Sequence, residues 1–284
     1  MAFDRVIPYF RWCRVKGGQM SRRFVVLTFA LLTVACAVNF YQPVAAAQDD
    51  SGIPRAANGK PDFSGVWEVL NTAAWDILPH NADKGIPGGL GVVEGGMIPY
   101  QGSALAKKKE NFEHRETDDT AAKCYMPGVP RITYMPYPFR IFQTPKYVTV
   151  LYEYIHIIRT IYTNDSAHPD GLTFWNGDSR GHWDGDALVV DVTNFNDETW
   201  FDSVGDFHSE ALHVIERYSY IDKDHLNYEV TIEDPKVFTR PWKMSMPLYR
   251  RIEKDVRPLE YDCNAFDHLL RLPEGARQSQ SGAK

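Results

Sequence analysis

The sequence has few cysteines, no excess of basic residues and no apolar run long enough to span a bilayer. Four cysteines in 284 residues are too few for a disulfide-rich secreted scaffold. Lysine and arginine number 31 against 37 acidic residues, a formal charge of −6, so no basic face exists to neutralise nucleic-acid phosphates. The composition, 44% hydrophobic and 24% charged, excludes a disordered or collagen-like chain and indicates a globular one.

Several motifs of known enzyme classes are also absent. The sequence contains no H-E-x-x-H and no His-x-His pair. It shows neither a glycine-rich phosphate loop nor an alternation of strands and helices, and no internal repeat. A doubly wound nucleotide-binding fold is therefore excluded as the leading interpretation.

An export signal is predicted at the N-terminus. Arg22-Arg23 precede the apolar run 24–37, which has the length of a signal-peptide core, and Ala45-Ala46-Ala47 fits a small-residue cleavage site. Segment 1–47 is therefore interpreted as a signal peptide, in which 1–19 has the character of an over-called start. An uncleaved N-terminal anchor and a lipoprotein attached through a cysteine of this segment are the alternatives.

Processing would change the composition of the chain. Removal of 1–47 takes away six basic residues and one acidic residue, which leaves 237 residues with 25 basic and 36 acidic side chains and a net charge of −11. Such an acidic protein is repelled by polyanions and anionic lipid headgroups. We expect a periplasmic or secreted bacterial protein with no nucleic-acid partner and no stable membrane insertion after processing.

Two cysteines remain after processing, Cys124 and Cys263. In an oxidising compartment they predict one disulfide, which closes a loop of about 140 residues and contributes a few kcal/mol. Two separate buried thiols are the alternative.

The front part of the mature chain is rich in glycine and proline. Residues 48–62 read as a flexible leader, and the segment 71–138 reads as a loop insertion whose length favours a lid, a binding wall or an oligomer contact. Within it only 103–116 has a helical pattern, with Ser103 as the expected N-cap. The last residues, 271–284, are expected to be a disordered tail.

Strand patterns dominate from Phe139 onward. Runs rich in Val, Ile, Tyr and Phe are separated by turn residues, and Asp184-Gly185 is a strong hairpin signal. The expected strands lie at 63–70, 139–143, 147–155, 157–163, 179–183, 187–193, 212–221, 226–233 and 240–252. The sequence thus predicts a mainly β fold, a single domain over 63–270 in which a mostly antiparallel meander closes into a barrel.

Two resemblances accompany this pattern. Gly65-Val66-Trp67 on the first strand resembles the GxW signature of lipocalins and wider calycins, and Arg250 or Arg251 would be the basic residue that covers the tryptophan. Lipocalins have no comparable Gly/Pro segment between their first two strands. Three longer stretches resemble a large, mostly uncharacterised family of secreted bacterial proteins: GDSRGHWDGDALVVDVTNF, FHSEALHVIERY and TIEDPKVFTRPW. This likeness implies a β-rich secreted domain and assigns no catalytic residue.

The densest polar stretch, residues 207–217, supplies the candidate catalytic groups. On an extended strand His208, Glu210 and Glu216 would share one face and His213 the other. A histidine beside a carboxylate is suited to general acid–base work. Ion pairing at a barrel rim is the alternative role for the two glutamates.

Candidate ligand-binding residues fall into two groups. Glu153, His156 and Arg159 interrupt apolar strands; an arginine inside a barrel needs a carboxylate, either Glu153 or one carried by a ligand. The second group combines a histidine beside the Asp-Gly turn with aromatic residues of predicted loops, where we expect a pocket mouth: His182, Tyr134, Tyr137, Trp200 and Phe201.

These features predict an exported enzyme that uses general acid–base chemistry on a small apolar or aromatic molecule held in the barrel. Lyase, isomerase, hydratase and hydrolase reactions would all be compatible, and no cofactor is expected. A non-catalytic carrier of a hydrophobic ligand is the first alternative. A metal-assisted hydrolase that uses His208, His213 and a carboxylate is the second, although no metal ligand set is assigned.

Overall fold

A computed structural model describes residues 52–83, 85–261 and 263. The predicted signal segment 1–47 and the predicted tail 271–284 lie outside the described residues. Among those described, no helix has the length and apolar character needed to cross a membrane.

Nine strands of the described residues form a closed barrel in which each strand pairs with its neighbours in the chain, and the first pairs with the last. The strands are β1 (Gly65–Glu68), β2 (Phe139–Gln143), β3 (Tyr147–Tyr152), β4 (Ile158–Tyr162), β5 (Asp178–Asp184), β6 (Ala187–Thr193), β7 (His213–Asp222), β8 (His225–Glu233) and β9 (Trp242–Arg250). The predicted mainly β, lipocalin-like barrel is confirmed, and the expected strands coincide with the observed ones to within a few residues.

One pair of strands departs from the antiparallel meander. β4 and β5 run parallel, with Ile161 opposite Ser179 and Tyr162 opposite Arg180. The connection 163–177 makes this possible, because parallel neighbours need a link of about a dozen residues or more that returns the chain to the same end of the sheet. His168, which lies on this connection, is thereby brought to the outer surface of the barrel beside β5 and β6.

The barrel interior is filled by side chains. In β7 the residues alternate between buried and partly exposed, so that Val214, Glu216 and Tyr218 point inward while His213 and Arg217 point outward. The inward residues of β6, β8 and β9 have exposures of 4% or less: Leu188, Val190, Val192, Leu226, Tyr228, Val230, Ile232, Trp242, Met244, Met246 and Leu248. A barrel of this strand number is just wide enough for such side chains to occupy its centre.

A buried ion pair lies among these apolar side chains. Arg159 on β4 donates from Nη1 and Nη2 to the two carboxylate oxygens of Glu216, with 3.0 Å for the Nη1 contact. Its Nε donates to Ser179 Oγ at 3.0 Å. Tyr218 and Tyr228 donate to Glu216 Oε1 at 3.0 and 2.6 Å. Each nitrogen of the guanidinium group therefore donates a hydrogen bond, and both oxygens of the carboxylate accept one from it.

The barrel closes around Trp67. The Arg250 guanidinium lies 4.1 Å from the centre of the indole ring, and Trp67 Nε1 donates to Phe63 O at 2.8 Å. Gly65 has φ +144°, and a Cβ there would come within 2.3 Å of Arg250 Nη1, so only glycine fits. Of the two candidates for the residue that covers the tryptophan, the structure selects Arg250. Arg251 instead bonds Glu68 and Glu253.

The 71–138 insertion packs along the barrel by main-chain hydrogen bonds. Ser245 N donates to Val92 O at 3.1 Å, and Gln101 N donates to Val237 O at 2.8 Å.

Three short helices lie in the insertion: α1 (Leu105–Glu113), α2 (Arg115–Asp118) and α3 (Arg131–Tyr134). The predicted helix 103–116 corresponds to α1 and part of α2. Ser103 lies in a preceding 3-10 turn and is not the N-cap, because α1 starts after Ala104.

The chain ends of the described part are also held. Arg55 binds Asp186 through two hydrogen bonds of 2.6 and 2.7 Å, and Gln143 bonds Phe63 N and Pro61 O. Cys124 and Cys263 form a disulfide with Cα atoms 5.6 Å apart, which confirms the predicted pairing. The bridge joins the insertion to the segment that follows β9.

The Glu216 carboxylate yields a stability prediction. Replacing it by alanine leaves the Arg159 charge buried without its partner, so Glu216→Ala is expected to lower the free energy of unfolding by about 3–5 kcal/mol. Chemical denaturation followed by circular dichroism measures the change. Glu229→Gln on the outer face of the adjacent strand is the control and should alter stability by less than about 0.5 kcal/mol. A loss below 1 kcal/mol for Glu216→Ala would show that the pair is not essential to the barrel.

Candidate functional site

A chain of histidines and carboxylates runs across the outer face of β5 to β8. Its centre is Asp191 on β6, whose Oδ1 lies 2.9 Å from His168 Nε2 and whose Oδ2 lies 3.0 Å from His213 Nε2. His168 Nδ1 contacts Asp178 Oδ1 at 2.7 Å, and Asp178 is bonded in turn by Arg180. One carboxylate thus connects two imidazole rings that come from distant parts of the sequence.

The other end of this chain is Glu233. His213 Nδ1 lies 3.0 Å from Glu233 Oε2, and the two residues face each other in the β7–β8 register. Because each ring nitrogen of His213 meets a carboxylate oxygen, the ring satisfies both contacts only when both nitrogens carry a proton. The arrangement favours the charged form of the imidazole.

The titration of His213 follows from these contacts. Its pKa is raised above the ordinary value, first by the hydrogen bond to Asp191, with burial opposing and Glu233 adding to the rise. The same bond lowers the pKa of Asp191. Both shifts stabilise the charged form of the residue concerned. The midpoint of the His213 titration therefore lies above its ordinary value, and a group that exchanges a proton in this way can act as a general acid or base.

Glu233 also lines a pocket of about 770 Å³ between the insertion and the β8–β9 connection. Its lining contains both polar and apolar residues, which are Gln101, Gly102, Glu233, Asp234, Pro235, Phe238, Thr239, Arg240 and Pro241. We call this space the Glu233 pocket. The His213–Glu233 contact therefore joins a titrating imidazole to a cavity open to solvent.

His208, the other predicted catalytic histidine, has a different environment. It is 3% exposed and lies in the loop before β7, where Nε2 contacts Thr199 Oγ1 at 2.7 Å and Nδ1 contacts Ser209 O at 2.9 Å. Burial lowers the pKa of its imidazole. No carboxylate contacts the ring among the described residues, so the expected pairing with Glu210 or Glu216 is wrong and His208 supports the loop.

The two predicted catalytic glutamates are separated by the barrel wall. Glu210 is on the surface, where it pairs with Lys236, and that contact lowers its pKa. Glu216 is inside the barrel and fully buried. The prediction of a shared face fails because residues 208–210 precede the strand, so the alternation that orients Glu216 does not extend to them.

Arg159 is not available to a ligand, since Glu216 occupies it. Glu153, its other predicted partner, lies beyond the end of β3 and accepts a hydrogen bond from Leu259 N at 2.7 Å. His156 is exposed in the turn between β3 and β4, with φ +56°. The three residues therefore do not form a joint site.

The remaining predicted binding residues are dispersed. His182 is exposed on the outer face of β5. Tyr134, Trp200 and Phe201 are at most 8% exposed, and Tyr134 donates to Phe201 O at 2.8 Å, so these aromatics belong to the core and not to a pocket mouth. Tyr137 does line a pocket, described below.

Sequence reasoning missed His168, Asp178, Asp191 and Glu233. Asp191 is the single charge in the otherwise apolar strand Ala187–Thr193, which is a signal for an outward-facing polar contact. Its partners come from β7 and from the connection before β5, so recognising them requires the pairing register. Only the register places Glu233 opposite His213.

Three carboxylates in the described residues come near enough to share an ion: Asp76, Asp202 and Asp206. Lys108 Nζ already lies 2.7 Å from Asp206 Oδ1, and Tyr100 donates to the same oxygen at 2.8 Å. Burial raises the pKa of Asp202 well above its usual range, and Asp206 adds to the rise. A lysine and a retained proton thus balance this group. Neither His208 nor His213 belongs to it, which removes the ligand set assumed for a metal-assisted hydrolase.

His213 yields a pH prediction. Because the pKa of the folded state is raised above the unfolded value of about 6.5, the contribution of His213 to stability is present below that pH and is lost as the pH rises through the folded pKa. His213→Asn should therefore cost stability at pH 5.5 and little at pH 8.5, by less than about 1 kcal/mol because the pair is partly exposed. Urea unfolding at the two pH values tests this. His182→Asn, at an exposed histidine of β5, is the control variant. Equal losses for His213→Asn at both pH values would contradict the assignment.

Comparison with known proteins adds no family to this picture. A scan against protein-family models finds no match to the chain, and a search of curated proteins finds none either. Only the geometry of the His213–Glu233 contact and of the Glu233 pocket therefore indicates a function.

Proposed function

We propose that this protein is an exported enzyme that transfers protons on a small organic molecule bound in the Glu233 pocket. The observation that carries the proposal is the His213 imidazole held between Asp191 and Glu233, with Glu233 on the pocket wall. A bound molecule would meet the Glu233 carboxylate first. His213 stands directly behind it.

His213 and Glu233 would act as one acid–base unit. In the protonated state His213 is an imidazolium beside the Glu233 carboxylate, and the unit can release the imidazolium proton to a bound molecule. In the deprotonated state the Glu233 carboxylate lies beside a neutral imidazole, and the unit can accept a proton from the molecule. Asp191 would be a positioning residue, since its bond to Nε2 holds the ring and sets its pKa.

The pocket lining suggests the class of substrate. Apolar surface comes from Phe238, Pro235 and Pro241, while Gln101 and Arg240 carry hydrogen-bond donors. This combination suits a small molecule with an apolar or aromatic part and one polar or anionic group. Lyase, isomerase, hydratase and hydrolase reactions all need such proton transfers, and none of them requires a redox cofactor.

The proposed site replaces the barrel centre as the place of binding. The centre is occupied by the Arg159–Glu216 pair and its tyrosines, whereas the Glu233 pocket is open to solvent. The proposed periplasmic or secreted location rests on the N-terminal signal pattern and on the Cys124–Cys263 disulfide, which is typical of oxidising compartments.

Two chromogenic probes test the proposal on the purified chain. Ring opening of 5-nitrobenzisoxazole requires only removal of a carbon-bound proton, and 4-nitrophenyl acetate reports hydrolysis. We expect turnover of at least one probe, reduced about 100-fold in both His213→Asn and Glu233→Gln. The wild-type rate should change with a single midpoint above pH 6.5, because His213 titrates there.

Glu229→Gln is the matched control, since Glu229 lies on the same outer face of β8 as Glu233 and outside the pocket. Its rate should equal that of the wild type. If wild type, His213→Asn and Glu233→Gln convert both probes at the same rate, the enzymatic proposal is wrong. Saturable probe binding without turnover would instead identify a carrier of small hydrophobic ligands.

A further inference from the structure

A second pocket lies beside the disulfide, apart from the Glu233 pocket. It has a volume of about 240 Å³ and is built from three parts of the insertion, the β3–β4 turn, the loop before β7 and the segment after β9. Its lining residues are Ala74, Trp75, Asp119, Ala121, Ala122, Arg131, Met135, Pro136, Tyr137, Tyr154, Ser203 and Tyr261. We call it the Tyr137 pocket.

Three tyrosine rings form one wall of this pocket. The centroids of Tyr137 and Tyr261 are 4.5 Å apart, those of Tyr137 and Tyr154 are 5.5 Å apart, and those of Tyr154 and Tyr261 are 5.7 Å apart. These are stacking distances, so a planar ring can extend the cluster at little cost. Burial raises the pKa of Tyr154 to about 12 and that of Tyr137 higher, so both remain neutral phenols.

The floor of the pocket is charged but balanced. Arg131 donates from Nη1 and Nη2 to the two oxygens of Asp119 at 2.7 and 2.8 Å, and its Nη2 also donates to Ser203 Oγ at 2.8 Å. Burial opposes the charge on Arg131, but Asp119 and Asp202 outweigh it and raise the pKa of the guanidinium. An anionic ligand would gain little from a guanidinium already neutralised by one carboxylate and lying within the field of another.

We propose that the Tyr137 pocket binds a neutral aromatic molecule. The tyrosine wall selects a planar ring, and the Arg131–Asp119 pair disfavours a carboxylate. The volume corresponds to roughly eight water molecules at about 30 Å³ each, which limits the ligand to one ring with a small substituent. This inference is independent of the proposed catalytic role of His213.

Four probes of similar size separate these requirements: benzamide, benzoate, cyclohexanecarboxamide and toluene. Isothermal titration calorimetry on the purified chain should give the lowest Kd values for the two neutral aromatic probes, benzamide and toluene, with benzoate and cyclohexanecarboxamide weaker by about tenfold or more. Trp75 lines the pocket, so its fluorescence should change with benzamide, and Trp75→Phe should abolish that change. Benzoate binding as tightly as benzamide, or equal binding of the cyclohexane analogue, would overturn the proposal.

Variants locate the binding. Tyr137→Ala and Tyr261→Ala should each weaken benzamide at least tenfold, whereas Tyr147→Ala, at an exposed tyrosine of β3 outside the pocket, should leave its Kd unchanged. Thermal unfolding shows whether each variant is folded; if either alanine variant unfolds, Tyr137→Leu keeps the volume and should still lose affinity. Undiminished binding in folded Tyr137 variants, or no heat with any probe, would refute the site.

Discussion

The bidentate contact between Arg159 and Glu216 is the constraint on which the barrel interior depends. An arginine enclosed by apolar side chains is tolerated only if its charge is paired and its donors are satisfied. Here the Glu216 carboxylate and the Ser179 hydroxyl accept from the guanidinium, and the hydroxyls of Tyr218 and Tyr228 donate to Glu216. The pair joins β4 to β7 across the interior. Burial and the Glu216 carboxylate act in opposite directions on the pKa of Arg159, and the carboxylate wins, so the residue stays charged.

This filled interior decides where chemistry can occur. A barrel whose centre is occupied offers its rims, its outer face and the segments packed against it, and the polar sites of this molecule lie there. The outer face of β5 to β8 holds the His168–Asp191–His213–Glu233 chain. The insertion supplies walls to both pockets, through Gln101 in one and Arg131 in the other. The long Gly/Pro-rich segment therefore has a structural role, because it contributes to the walls of both pockets.

Much of the fold could be predicted from the sequence, because strand alternation and turn residues are local signals. The strand positions, the closed barrel, the disulfide and the orientation of His213 away from Glu216 all followed from such patterns. The site was harder to predict. Glu153 is closer to Arg159 in sequence than Glu216 is, yet the register places Glu216 across the barrel from the guanidinium.

The errors share a physical cause. Strand alternation places His208 and Glu210 on a strand that in the structure begins only at His213, so the pattern does not reach them. Trp200 and Phe201 lie outside the strands, which predicts a pocket mouth, but the structure buries both side chains. The contacts of Asp191 depend on the connection 163–177 between the parallel strands β4 and β5. No local sequence pattern predicts that connection.

The central claim is that side chains fill the barrel centre and that small molecules bind in the pockets outside it. A crystal of the mature chain equilibrated with xenon under pressure and then with benzamide measures this directly, since xenon enters apolar voids that water leaves empty. We predict no xenon among Trp67, Arg159 and Tyr228, and benzamide beside Tyr137. Xenon or benzamide bound between the strands, next to the Arg159–Glu216 pair, would contradict the account.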